Sequence, residues 1–279
     1  MMLKQWKSGL AKSAMAVALA AVAMSAQAHR PWMVPSITMV EGDKGWVTVD
    51  AAISEDLFVI DHQPLKLDAL EITGPDGARV TPQNVQTGHL RSTFDVEMAQ
   101  PGTYKASLVQ KNVFGSYTVN GEMKRFRGTE EAFAAAVPAD AKDVKATRMV
   151  SRLETFFSAG KTTDAVFKPT GAGLELVPLS HPNDMRTGDK ARWRFLLDGK
   201  PAANQAFSLV PGGVRYRGTL GEIRLSTDAN GEITFTLPAP GMYLVSSSWP
   251  TMPAQVPGQP PVQPPLRVSY AATVEILPQ

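Results

Sequence analysis

Pro101-Gly102-Thr103-Tyr104 and, 139 residues later, Pro240-Gly241-Met242-Tyr243 decide the reading of the fold. In each, Pro-Gly turns the chain and an aromatic residue opens an apolar run with strand character. Two further echoes precede them in the same order. Val34-Pro35 returns as Val177-Pro178, and Gly42-Asp43-Lys44 returns as Gly188-Asp189-Lys190, at offsets of 143 and 146 residues. Matching order at near-constant spacing indicates one β-unit used twice. The expected fold is all-β, two tandem immunoglobulin-like β-sandwich domains.

Working outward, residues 46–53 and 94–98 have the β-branched or alternating pattern of half-buried strands. Gly74-Pro75-Asp76-Gly77 is a turn, and Asn120-Gly121 suits a two-residue hairpin of type I′. Asp228-Ala229-Asn230-Gly231 between two apolar runs, 223–226 and 233–237, reads as a second hairpin. Residues 130–136 and 141–157 are rich in Ala, Lys, Glu and Arg, and predict a short helical or irregular connector. The expected organisation is a signal peptide at 1–28, a sandwich at 29–128, a connector at 129–165 and a second sandwich at 166–279. Seven prolines between Pro250 and Pro265 predict a stiff loop in the second sandwich.

Lys4, Lys7 and Lys12, an apolar run at 14–24 and Ala26-Gln27-Ala28 form the three parts of a secretory signal. The apolar run is shorter than the roughly 20 residues a membrane-spanning helix needs. Cleavage after Ala28 would leave His29 as the first residue of an exported, periplasmic chain with no inserted segment. It would also change the 28 basic and 26 acidic residues to 25 and 26, which gives no support to a nucleic-acid partner. With no cysteine in the chain, disulfides and thiolate sites are excluded.

A terminal His29 offers two nitrogens from one residue, its α-amine and its imidazole Nδ1, which together can close a chelate ring on a transition metal. An α-amine ordinarily titrates at about 7.7–8, within reach of displacement by a metal at neutral pH. If each strand crosses the first sandwich once, His62, Asp61 and His89 fall in loops at the same end as His29. The candidate metal ligands are therefore His29, His62, His89 and Asp61. His181, before Pro182 in a turn of the second half, is a weaker candidate. Trp32, Trp46 and Trp193 are expected in cores. Scattered methionines argue against a dedicated Cu(I) carrier. No His-Glu-x-x-His, Gly-x-Ser-x-Gly, P-loop or dinucleotide fingerprint is present, and the chain is expected not to be an enzyme.

The residues also resemble a bacterial exported family of unknown function whose members are often labelled nickel- or cobalt-uptake periplasmic components. The resemblance lies in Ala28-His29-Arg30-Pro31-Trp32 after the signal, Pro35-Ser36, and Leu174-Glu175-Leu176-Val177-Pro178-Leu179. It continues through Asp198-Gly199-Lys200-Pro201-Ala202, Thr227-Asp228-Ala229-Asn230-Gly231 and Pro240-Gly241-Met242-Tyr243. It implies β-sandwich domains, the periplasm and metal acquisition, and supplies no catalytic residues. The leading expectation is an accessory protein that binds nickel, cobalt, iron or copper, as an ion or a complex. It would hand the metal to a membrane transporter or outer-membrane receptor system. The alternative is a non-catalytic envelope module binding protein or glycan. A copper oxidase acting on polysaccharide is a third reading, with no recognisable substrate face to support it.

Overall fold

The computed structural model describes residues 29–250 and 265–279. The expected signal segment and most of the proline-rich loop, 1–28 and 251–264, lie outside them. Three β-layers are built on one long central sheet. The first outer sheet has the order β1 (Arg30–Pro35), β3 (Gly45–Ser54), β8 (Ser92–Met98), β7 (Gln83–Thr87), with β4 (Gln63–Pro64) also on β3. The central sheet runs β16 (Ile223–Ser226), β15 (Ala206–Pro211), β18 (Gly241–Trp249), β19 (Leu266–Ile276), β11 (Lys142–Ala159), β9 (Gly102–Val119), β5 (Leu70–Thr73), β6 (Arg79–Val80). On it, β10 (Glu122–Gly128) pairs with β9 and β2 (Met39–Val40) with β11. The second outer sheet joins β12 (Leu174–Pro178), β13 (Lys190–Leu197) and β14 (Lys200–Pro201), with β17 (Glu232–Thr236) on β13. Among the described residues, no helix is long and apolar enough to cross a membrane.

The repeat is real at the level of hydrogen bonds. The Tyr104 hydroxyl donates to the Gln100 carbonyl at 3.0 Å, and the Tyr243 hydroxyl donates to Ala239 at 2.8 Å. Each tyrosine thus ties its strand back to the chain four residues upstream, the corner typical of immunoglobulin-like sandwiches. Gly102 and Gly241 precede them at φ 126° and 132°, in a region where a side chain would be strained. Asn120 and Gly121, both at positive φ, form the expected β9–β10 turn.

Residues 130–136 form the expected helix, α1 (Glu130–Ala136), capped by Thr129. The rest of the expected connector differs: residues 142–159 are the strand β11, not helical or irregular. β11 is antiparallel to β9 on one side and parallel to β19 on the other. Its alternate side chains serve opposite cores. Leu153, Phe157 and Ala159 enter the core under the first outer sheet, and Phe156 enters the core under the second. The two outer sheets therefore cover opposite faces of one continuous sheet, offset along it. Burial on both faces overrides the helix propensity of the local composition.

Two other expectations change. The Asp228–Gly231 turn forms, with Asp228 Oδ1 accepting the Asn230 and Glu232 amides, but β16 pairs with β15 and β17 with β13. It is a corner between sheets and not a hairpin. Trp32 and Trp193 are buried at 2% and 0% exposure, whereas Trp46 is 52% exposed on the outer side of β3.

His181 joins the halves without approaching His29. Its Nδ1 accepts the Asn183 amide at 3.1 Å and its Nε2 lies 3.0 Å from Thr103 Oγ1. An acceptor Nδ1 requires the neutral ring. Burial pushes the imidazole below its ordinary value, and this outweighs the carboxylates of Asp184 and Asp164. The unfolded chain then takes up the proton first as pH falls through about 6.5. Stability that is present above that value should decline below it. Urea unfolding at pH 7.5 and 5.5 should show a smaller decline for His181→Gln than for the native chain; equal declines would remove His181 as the cause.

Candidate metal centre

The register of β1 and β3 sets the site. Arg30 pairs with Ser54, so the next positions outward are His29 and Glu55. On the other side of β3, β4 pairs Gln63 with Ile53 and brings His62 beside the same strand end. The Trp32 indole donates to Ser54 Oγ at 2.7 Å, in a fully buried contact that fixes this register.

The loop between Ser54 and Gln63 is held from within and from below. Asp61 accepts the Glu55 and Asp56 amides, one on each carboxylate oxygen, at 3.0 Å. Leu57 is buried against Trp32, Val210, Val214 and Leu244, which belong to the first strand and to the second half. Phe58 packs edge-on to Trp32 and lies so close to Gly212 that a Cβ there would approach its ring to 2.9 Å. Val214 opens the short helix α2 (Val214–Arg217).

On this support stand His29, Glu55 and His62, each offering one donor atom within 4.8 Å of the others. The two imidazoles stack with centroids 3.9 Å apart and planes 13° from parallel. His29 Nε2 lies 3.3 Å from Glu55 Oε1. All three are exposed, and an exposed ion pair of this kind contributes only about 0–1 kcal/mol to folding. The donor set fits a first-row transition metal. Ions of this kind hold nitrogen and oxygen donors at roughly 2.0–2.2 Å, so rotation of exposed side chains by an ångström or two would close the group.

The sequence-derived candidates divide. His29 and His62 come together. Asp61 lies in the same loop, but its oxygens hold backbone amides. His89 is exposed in the turn between β7 and β8, closed by the Gly88 amide on the Arg91 carbonyl. That turn is at the predicted end of the sheet, yet β3 and β4 lie between it and β1, and His89 is not part of the group. Glu55 was missed, because only the β1–β3 register places it opposite His29.

Comparisons place the chain as follows. No curated protein matches it. Among solved structures, it is similar to the D0-D1 domain of intimin at 13% identity, covering 88% of this chain and 97% of that one, with a TM-score of 0.21. It is similar to the human OSCAR ligand-binding domain at 16% identity, covering 89% and 100%, with a TM-score of 0.22. A DUF4785 family protein from Legionella pneumophila shares 9% identity over 77% of this chain and 52% of that one, with a TM-score of 0.21. The family described as Domain of unknown function (DUF4198) matches residues 26–251, and the chain belongs to that family.

Proposed function

We propose that this protein is a periplasmic accessory protein, not an enzyme, that binds a transition metal at His29, Glu55 and His62 for uptake and handover. The observation that carries the reading is the convergence of two imidazoles and a carboxylate within 4.8 Å at the end of three adjacent strands. Cleavage after Ala28 would add the His29 amine. With Glu55 beside Nε2 of His29, Nδ1 of the same ring is left for chelation with that amine. Nickel, cobalt, iron and copper all suit such donors. A membrane transporter or outer-membrane receptor system would be the recipient.

Titration of the chain beginning at His29 with Ni(II), Co(II) and Cu(II) tests this. His62→Ala is expected to weaken binding by about tenfold or more, and Glu55→Gln by about 10–100-fold. His89→Ala should bind as the native chain does. Native-like affinity in His62→Ala would overturn the assignment.

The second reading, an envelope module binding protein or glycan, draws support from an open trough of about 760 Å³ along β9, β10 and β11. Arg125, Arg127 and Arg267 line it, no carboxylate does, and the Arg127 guanidinium lies 5.1 Å from the Phe114 ring centroid. Retained binding to envelope material with all four histidines replaced by alanine would favour this reading.

A further inference from the structure

Beside His29, the first strand and the central sheet bound a half-open cavity of about 310 Å³. Its floor is set by register. Gln110 lies opposite Ser151, Ser151 beside Ser269, and Ser269 opposite Ser248. These four uncharged polar side chains form one row across four strands, and all line the cavity. No hydrogen bond from these side chains is found among the described residues. The wall is Arg30, which alternates along β1 with Trp32 and Val34 and so faces the central sheet as they do. Arg30 Nη1 is buried without a hydrogen-bond partner. The carboxylate whose field it shares, Glu222, is already held by Ser208 at 2.6 Å and Arg224 at 2.8 Å, and Arg30 makes no hydrogen bond to it. No carboxylate lines the cavity.

The Arg30 guanidinium lines the cavity with one donor unpaired, and although Nη1 is closed off as it stands, a turn of the side chain would bring it to an acceptor there. Its place next in the chain to a metal donor is unfavourable for a bare cation, because the two positive charges repel. It is favourable for a metal that arrives inside a net-anionic shell. The cavity is at the small end of ligand sites, which span roughly 300–1,000 Å³. A row of hydroxyls and an amide suits an oxygen-rich surface. We propose that the cargo is an anionic metal chelate of a hydroxy-polycarboxylate about the size of citrate. One ligand carboxylate sits on Arg30, the ligand body lies over Gln110, Ser151, Ser248 and Ser269, and the metal faces His29, Glu55 and His62. This rests on the reading of those three residues as metal donors.

Equilibrium dialysis of the chain beginning at His29, with radiolabelled citrate and nickel chloride separately and together, tests the proposal. Citrate should be retained one to one with protein only when nickel is present. Arg30→Gln should reduce that retention by about tenfold or more, the usual cost of a lost charge-assisted hydrogen bond, while nickel alone binds as tightly as before or more tightly. Ser269→Leu, which fills the floor without touching a charge, should do the same. Citrate retained without nickel, or nickel citrate retained by both variants as by the native chain, overturns the chelate. Failure of nickel to bind in any form overturns the metal reading and the chelate with it. Retention of nickel citrate by His62→Ala at native affinity would keep the cavity and remove the donors.

Discussion

Adding one residue ahead of His29 is expected to weaken nickel(II) or copper(II) binding by about a hundredfold or more. The extra peptide bond converts a basic amine into an amide nitrogen, and the five-atom path from amine to Nδ1 no longer ends in two donors. Loss of an outer-sphere partner alone typically costs 10–100-fold in metal affinity, and a directly ligating group should cost at least that. The β1–β3 pairing and the buried Trp32–Ser54 contact lie inside the change, so the imidazoles and Glu55 keep their places. Competition titration against a chelator of known strength would read the difference. An affinity within about threefold of the native value would dispose of the terminal chelate while leaving a side-chain-only site standing. Protons compete for the same nitrogens, so binding by the native chain should also weaken as pH falls below neutrality.

The largest expected effect on stability lies on the opposite face of the central sheet. Arg152 on β11 reaches Glu154 at 3.4 Å and Glu175 of the second outer sheet at 3.5 Å, and all three side chains are at most 9% exposed. It also donates to the Ala172 carbonyl at 3.1 Å. Glu154 further accepts the Tyr270 hydroxyl at 3.0 Å and lies 3.8 Å from Lys105. Burial, and then the Glu154 carboxylate, hold Tyr270 well above its ordinary pKa. Arg152→Met leaves the buried Glu175 without a counter-charge, while Glu154 keeps Lys105; breaking a buried pair in this way typically costs about 3–5 kcal/mol. Urea unfolding would measure it, and a loss under about 1 kcal/mol would show that water reaches the carboxylates. Burial alone would push Glu175 up. The Thr170 hydroxyl, the Thr170 and Gly171 amides and Arg152 together bring it below the ordinary carboxylate value. Its contribution is therefore fully present above about pH 4.5, the ordinary value, and is lost as pH falls below that and through the lowered value of the folded state. Without Arg152, acid unfolding should move to higher pH.

What the sequence discloses depends on how local the cause is. The repeated Pro-Gly-x-Tyr turns are written in four consecutive residues each and were legible, whereas the corner bonds of Tyr104 to Gln100 and Tyr243 to Ala239 emerged only from the fold. The β9–β10 turn needs only Asn120 and Gly121. β11 was not legible, since Ala, Lys, Glu and Arg describe its exposed start, while its strand form is imposed by β9 and β19 from distant parts of the chain. The Asp228 turn was read correctly and its consequence was not, because nothing in the turn says which sheet each flanking strand will join. At the candidate metal centre, counting strands put three histidines at one end. Lateral order then separated His89 from the other two, and counting cannot supply lateral order. Glu55 and Arg30 are defined by register, one opposite His29 and the other facing a sheet that is built largely from the second half.

The strand shared by both halves bears on how cargo could leave. Two-lobed carriers commonly trap a ligand by closing about a flexible crossing. Here the crossing is an 18-residue strand paired with β9 along its length and with β19 over Arg148–Thr155, so the lobes have no hinge to swing on. A metal at His29 would be neither gated nor sealed. Its residence time would be set by stepwise exchange, in which an incoming donor from the recipient displaces one resident donor at a time. Release would then accelerate with recipient concentration, and solvent viscosity or temperature-dependent opening would matter little.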